Sequence, residues 1–82
     1  MYKILIVEDD ETIAGGLKNH LEKWNYQAEC MTDFKDVMGK FVDFDPQLVL
    51  LDIVLPFFNG FHWCQEIRKI SKVPVSYTHL TL

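Results

Sequence analysis

Acidic side chains in two separate places of the sequence could do chemistry together. One place is a run of four acids, Glu8, Asp9, Asp10 and Glu11, and the other is Asp52. Carboxylates that share a crevice repel one another unless a cation joins them, and an all-oxygen ligand set suits Mg²⁺, which favours phosphate as a co-ligand. If the fold brings the two places together, they predict a Mg²⁺ site with phosphate as a favoured co-ligand. Taken alone, the run is also compatible with a solvated loop whose acids favour the start of the next helix.

The apolar stretches before these acids are predicted to be strands of a parallel sheet. Residues 3–7 are rich in β-branched side chains, and residues 48–51 are four consecutive apolar residues. Unbroken apolar runs of this length are typical of strands covered on both faces. Asp52 then lies at the carboxyl end of its strand, where ligands collect in open α/β sheets. Pro56 and Gly60 turn the chain before a helix can start.

Three helices are predicted from the spacing of apolar residues. The first covers residues 12–24 and buries Ile13, Leu17, Leu21 and Trp24. The second is capped by Thr32 or Asp33 and buries Phe34, Val37, Met38, Phe41 and Val42. The third follows Gly60 and buries Phe61, Cys64, Ile67 and Ile70.

Alternation of these helices with strands predicts an α/β fold with a doubly wound parallel sheet. Further strands are expected at residues 27–31 and from residues 73–75 onward, which gives the order β-α-β-α-β-α-β. Right-handed crossovers place the first and third strands side by side. Asp9 and Asp52 therefore follow adjacent strands at one edge of the sheet.

Two pairs of residues lie outside this scheme of strands and acids. Gly15 and Gly16 weaken the first helix but permit close approach of a neighbouring element, and they lack the spacing of a dinucleotide-binding loop. Phe57 and Phe58 form either a lid on the core or a docking surface, and we expect core contact.

Composition restricts the class of protein further. Eighty-two residues make one domain at most, and a net charge of −4 leaves no basic footprint for nucleic acid. No apolar run approaches the roughly 20 residues of a membrane span. Cys30 and Cys64 are too far apart for a metal-type pair, which favours reduced thiols in a cytoplasmic protein.

The acids and turn residues resemble the receiver domain of two-component response regulators. The pattern is an acidic pair after the first strand, an aspartate after the third, a proline four residues later and a glycine eight residues later, here Glu8, Asp9, Asp52, Pro56 and Gly60. It covers about residues 2–75. Residues 55–71 are similar to regulators of antimicrobial-peptide resistance, which carry a C-terminal winged-helix DNA-binding domain.

This resemblance implies a role for each matching residue. Asp52 would accept a phosphoryl group from a phosphohistidine on a sensor histidine kinase. The Mg²⁺ ligands would be Glu8, Asp9, Asp52 and the backbone carbonyl of Val54. It also implies a flavodoxin-like topology and a cytoplasmic signalling protein that is not an enzyme. DNA would be bound only through an absent C-terminal domain, and the full-length form would dimerise when phosphorylated.

The end of the sequence departs from the receiver pattern. The family has a hydroxyl residue at the end of the fourth strand, a position that falls on His79, with Thr78 one residue early. The fifth-strand lysine, the fifth strand and two helices are absent, so the topology is incomplete. Because residues 75–80 also resemble a sequencing adapter read in one frame, we expect residues 1–75 to be a partial receiver domain and residues 76–82 a non-native tail. The alternative is a divergent natural tail.

Two other functions stay open at this point. One is an interaction module that is not phosphorylated, although all three acids needed for metal binding are present. The other is a phosphatase with an aspartate nucleophile, which requires a general acid two residues after the nucleophile, where Val54 stands.

Overall fold

The fold is a four-stranded parallel sheet with helices on both faces. The computed structural model describes residues 1–78, which form β1 (Lys3–Val7), α1 (Glu11–Lys23), β2 (Gln27–Cys30), α2 (Val37–Phe44), β3 (Leu48–Asp52), α3 (Gly60–Arg68) and β4 (Val75–Thr78). The strand order is β2-β1-β3-β4, and every pairing is parallel. The predicted fold class is therefore confirmed, including the contact between the first and third strands.

The larger core lies between the sheet and the helices α2 and α3. Its buried side chains come from alternate positions of β1 and β3, from one stripe of each helix and from the residue after β2: Leu5, Val7, Met31, Val37, Phe41, Phe44, Val49, Leu51, Trp63 and Ile67. Both central strands are thus covered on this face, as their apolar sequences require.

A smaller core lies between the other face of the sheet and α1. Ala14 of α1 is buried against Ile6 and Ala28, and Leu17 and Leu21 pack at its edge. The predicted stripe also included Trp24, which is wrong because α1 ends at Lys23 and the Trp24 side chain is 68% exposed.

Helix α2 begins later than the sequence predicted. Its N-cap is Asp36, whose carboxylate accepts a hydrogen bond from the Gly39 N–H at 3.1 Å. The predicted caps are wrong, and Asp33 instead accepts a bond from Lys35 N–H inside the preceding loop. The later start also leaves Phe34 outside the helix.

Helix α2 buries two of the predicted residues, Val37 and Phe41, and one further residue, Phe44. Val37, Phe41 and Phe44 form the buried stripe, at spacings of four and three. Val42 was predicted to be buried but is exposed, because it lies beyond the edge of that stripe.

Helix α3 faces the sheet with only part of the predicted stripe: Ile67 is buried and Cys64 packs partly against the core, as predicted. Gly60, Trp63 and Ile67 are buried, whereas Phe61 and Ile70 are exposed. The first residue of the buried stripe, Gly60, lies directly against the backbone at the end of β3.

Strand β4 starts two residues later than predicted and pairs with β3 from Val75 to Thr78. It includes three residues of the predicted non-native tail, and the origin of that tail stays a prediction. His79, the position expected to correspond to the hydroxyl residue, lies outside the described residues. Within residues 1–78, none of the helices is long and apolar enough to cross a membrane.

Candidate metal and phosphoacceptor site

The structure brings Glu8, Asp9 and Asp52 together at the carboxyl edge of the sheet. Val7 pairs with Leu51, so the residues that follow them, Glu8 and Asp52, lie side by side. One carboxylate oxygen of each of the three acids lies within 4.8 Å of the others. Glu8 is 4% exposed and Asp52 is 6% exposed, while Asp9 is open to solvent.

The turn between β1 and α1 positions the first acid of this cluster. The Asp10 side chain caps α1 by accepting hydrogen bonds from Thr12 N–H at 2.9 Å and Ile13 N–H at 3.2 Å. Its own N–H donates to Glu8 Oε2 at 3.1 Å. The sequence grouped Asp10 with the other acids of the run, but its side chain serves the helix. An aspartate directly before a helical stripe was the signal that could have identified this cap.

The surroundings of Glu8 disfavour the ionised form of its carboxyl group. Its pKa is raised from 4.5 to about 7, chiefly by burial. The neighbouring carboxyl groups of Asp9 and Asp52 raise the pKa further, while the bond from Asp10 N–H to Oε2 acts in the opposite direction. Among the described residues, the buried Oε1 of Glu8 has no hydrogen-bond partner.

These features fit a hard divalent cation. A buried carboxylate oxygen without a donor is costly, and clustered carboxylates repel one another. A cation among them relieves both costs, and a set of carboxylate oxygens is what Mg²⁺ and similar ions take as ligands. The residues present could therefore hold a metal ion.

The loop after β3 is fixed by a hydrogen bond at each of its ends, and the first of these is made to Asp52. Val54 N–H donates to Asp52 Oδ1 at 3.3 Å, so Val54 lies beside the carboxylate, and the role of its carbonyl as a ligand stays a prediction. At the far end, Gly60 N–H donates to Ile53 carbonyl oxygen at 2.9 Å.

Gly60 is required here by close packing. A Cβ at Gly60 would collide with the Asp52 carbonyl oxygen and would lie 3.0 Å from Asp52 C and from Ile53 Cα. Any other side chain would push against the backbone that carries Asp52. The sequence predicted a turn at this glycine but not this contact.

The middle of the same loop is a tight turn with exposed aromatic rings. Phe57 has a φ of 68°, and Phe58 N–H donates to Pro56 carbonyl oxygen at 2.8 Å, which closes a three-residue turn. The expected core contact is wrong for Phe57, which is 67% exposed, whereas the partly exposed ring of Phe58 does lie against the buried Trp63, with centroids 5.5 Å apart. Lys35 lies 4.9 Å from the Phe57 ring, and the Phe58 ring stacks on His62 with centroids 4.4 Å apart.

Comparisons with known proteins identify the family. The response regulator receiver domain family matches residues 4–78. The transcriptional regulatory protein YvcP of Bacillus subtilis is 49% identical over 77 residues, which are 94% of this chain and 32% of YvcP. The chain thus spans about a third of the length of the curated relatives it matches.

Solved structures agree with the sequence match. The N-terminal domain of the nisin resistance regulator NsrR has a TM-score of 0.87 and 44% identity, over 94% of this chain and 65% of that one. The response regulator TrrA of Thermotoga maritima, solved with Mg²⁺-BeF, has a TM-score of 0.83 and 32% identity over 92% and 66% of the two chains. For TrrA in its complex with the histidine kinase ThkA, the TM-score is 0.85 and the sequence identity is 30%, over 96% of this chain and 69% of that one. The chain belongs to the family of response regulator receiver domains.

Proposed function

We propose that Asp52 accepts a phosphoryl group from a sensor histidine kinase and that this modification switches a transcription regulator. One observation carries the proposal: Asp52 is buried at the carboxyl end of β3 with the carboxylates of Glu8 and Asp9 beside it. Three acids in one crevice are costly for folding. Such an arrangement is functional if a cation and a phosphoryl group bind in the crevice.

The cation in this proposal is Mg²⁺, held by Glu8, Asp9, Asp52 and the backbone carbonyl of Val54. When bound, it supplies positive charge that offsets the carboxylates and the phosphoryl oxygens. The unpartnered Glu8 Oε1 and the oxygen-only ligand set support this placement. The related protein TrrA was solved with Mg²⁺-BeF, which is consistent with the same preference.

Asp52 supplies the nucleophile. A carboxylate oxygen forms the new O–P bond while the N–P bond to the donor imidazole breaks, and the imidazole leaves with that electron pair. The bond from Val54 N–H to Oδ1 restricts rotation of the carboxylate during this step. The product is an acyl phosphate, which is labile enough for a switch that must reset.

The partners of the proposed switch follow from its relatives. TrrA was solved in complex with the histidine kinase ThkA, which supports a sensor kinase as donor. YvcP is a transcriptional regulatory protein, which supports a DNA-binding output of winged-helix type in the full-length protein. We extend the proposal to a cytoplasmic location and to dimerisation of the full-length form on phosphorylation.

The test is incubation of the chain with Mg²⁺ and acetyl phosphate, followed by intact-mass spectrometry. We expect one phosphoryl addition that disappears in Asp52→Asn and in Asp9→Ala and persists in the control Asp33→Asn, which alters an exposed acid that is not part of the cluster. An adduct that persists in Asp52→Asn would overturn the assignment. Rapid turnover without an adduct would instead support the aspartate phosphatase, and no reaction would support the unphosphorylated interaction module.

A further inference from the structure

Phe57 has an unfavourable backbone conformation in the middle of the loop between β3 and α3. Its φ of 68° lies in the left-handed region. In the part of the chain that the structure describes, the other non-glycine residues with a positive φ are Asn25 and Asp45, whose side chains tolerate this region far better. The Phe57 ring is 67% exposed, so burial does not offset the strain. The observed form of the loop therefore has a strained backbone at one residue.

A buried hydrogen-bond donor beneath the same loop lacks an acceptor. Trp63 is 5% exposed, and its Nε1 makes no hydrogen bond within residues 1–78. The Phe58 ring of the loop lies against the indole, with centroids 5.5 Å apart. Because the nitrogen is closed off from solvent, an acceptor can reach it only if the covering loop moves. An unpaired buried N–H is costly, so a form of the loop that brings an oxygen to it gains free energy.

Rotation of a single peptide group can relieve the strained backbone. Turning over the peptide between Pro56 and Phe57 changes ψ of Pro56 and φ of Phe57 together, as in the interconversion of type I and type II turns. The proline ring fixes φ and leaves ψ free to take either value. The rotation gives Phe57 a negative φ and releases the Pro56 carbonyl oxygen from its bond with Phe58 N–H. That oxygen then points to the opposite side of the turn.

We propose that this loop is a two-state element whose second form has the peptide between Pro56 and Phe57 turned over, with the Pro56 carbonyl oxygen accepting a hydrogen bond from Trp63 Nε1. Water replaces the bond that Phe58 N–H loses, since Phe58 is 45% exposed. The inference goes beyond the proposed function and does not depend on it, because both forms belong to the unmodified chain.

Asp52 biases this equilibrium towards the observed form. Its Oδ1 accepts the hydrogen bond from Val54 N–H, which restrains the start of the loop. The residues between Val54 and the turned peptide can follow the rotation only if this restraint is loosened. A group that binds Asp52 Oδ1 competes with Val54 N–H and thereby alters the surface formed by Phe57 and Phe58.

The test is NMR relaxation dispersion on the isotope-labelled chain without metal. The reporters are the Trp63 indole N–H, identified by its loss in Trp63→Phe, and the backbone amides of Phe57 and Phe58. We expect a minor form populated at about 1–10%, with one exchange rate shared by the three reporters. Absence of exchange at the indole, or a rate there that differs from the rate in the turn, would overturn the proposal.

Two substitutions of Phe57 separate the strained backbone from the aromatic ring. Phe57→Gly removes the strain of the observed form, because glycine accepts a positive φ, and should lower the minor population about five- to thirtyfold. Phe57→Ala is the matched control, since it removes the ring but keeps the Cβ that causes the strain, and its exchange should persist. Unchanged exchange in Phe57→Gly, or equal loss of exchange in both variants, would overturn the proposal.

Two substitutions of Asp52 test its influence on the loop. Asp52→Ala removes the acceptor of Val54 N–H and should raise the minor population at least about threefold, whereas Asp52→Asn keeps an oxygen there and should change it by less than about twofold. Equal populations in the two variants would overturn the link between Asp52 and the loop.

The outcomes distinguish this inference from the proposed function. Absence of exchange overturns the two-state loop even if Asp52 is phosphorylated normally. Failure of phosphorylation in a chain that shows the expected exchange overturns the proposed function and leaves the two-state loop standing.

Discussion

Mg²⁺ affinity should fall steeply with acidity because of one residue, Glu8. The pKa of this buried carboxyl is raised to about 7, so the metal-free site holds a proton there at mildly acid pH. A cation needs the ionised carboxylate and must displace that proton. Binding is therefore favoured as pH rises through about 7 and opposed as pH falls below it.

The size of the effect follows from the pKa. With a value of about 7, Glu8 is about nine-tenths protonated at about pH 6 and about one-tenth protonated at about pH 8. If only the ionised form binds the cation, the affinity at the lower pH is about tenfold weaker, which is about 1.4 kcal/mol.

The assay is a Mg²⁺ titration followed by backbone amide shifts at both pH values and constant ionic strength. The control is Glu8→Gln, which keeps the size of the side chain and removes the carboxyl group that titrates. We expect this variant to bind Mg²⁺ more weakly than the unmodified chain at about pH 8 and to lose most of the pH dependence. Equal affinities of the unmodified chain at the two pH values would refute the reasoning, as would an unchanged pH dependence in Glu8→Gln.

Three further predictions concern stability. Because the pKa of Glu8 in the folded chain exceeds 4.5, the protonated residue stabilises the metal-free fold fully below pH 4.5, and this stabilisation is lost as pH rises through about 7. Urea denaturation at about pH 8 should therefore find Glu8→Gln more stable than the unmodified chain by up to about 3 kcal/mol. A less stable variant would contradict this. Gly60→Ala should lower the free energy of unfolding by about 1–3 kcal/mol and reduce phosphorylation by acetyl phosphate, because the added Cβ collides with the backbone of Asp52. The control Gly16→Ala should raise the free energy of unfolding by up to about 1 kcal/mol, since a Cβ there meets open space. Equal melting temperatures for the two variants would rule out the contact. Asp10→Ala should lower the free energy of unfolding by about 1 kcal/mol through loss of the α1 cap, whereas Asp10→Asn should keep most of the stability because asparagine also caps helices. Thermal denaturation followed by circular dichroism compares the two variants. Similar losses in both would show that the charge, not the cap, matters.

The central part of the fold and the acid cluster could be predicted because they depend on local patterns. The strand at residues 3–7 has the predicted bounds, and β3 begins at Leu48 as expected, because unbroken apolar runs leave few alternatives. Parallel pairing then places Glu8 beside Asp52 by topology alone.

The errors arise where a tertiary contact decides the local structure. Periodicity placed Phe61 in the core, but α3 buries Trp63 instead, on the face where Gly60 contacts the end of β3. Phe57 is apolar by type, yet it lies exposed in a turn where its φ is 68°. Spacing along the sequence contains neither the rotation of a helix nor the path of a short loop.

The two tryptophans of the chain differ in a way that is useful for spectroscopy. Trp24 is exposed beyond the end of α1, whereas Trp63 is buried beneath the loop that follows Asp52, with its ring 5.5 Å from Phe58 and 4.8 Å from His62. A soluble quencher such as iodide should therefore reach Trp24 and spare Trp63. In a Trp24→Phe variant the remaining emission would come from Trp63 alone, and movement of the loop around Asp52 would change it without any attached dye.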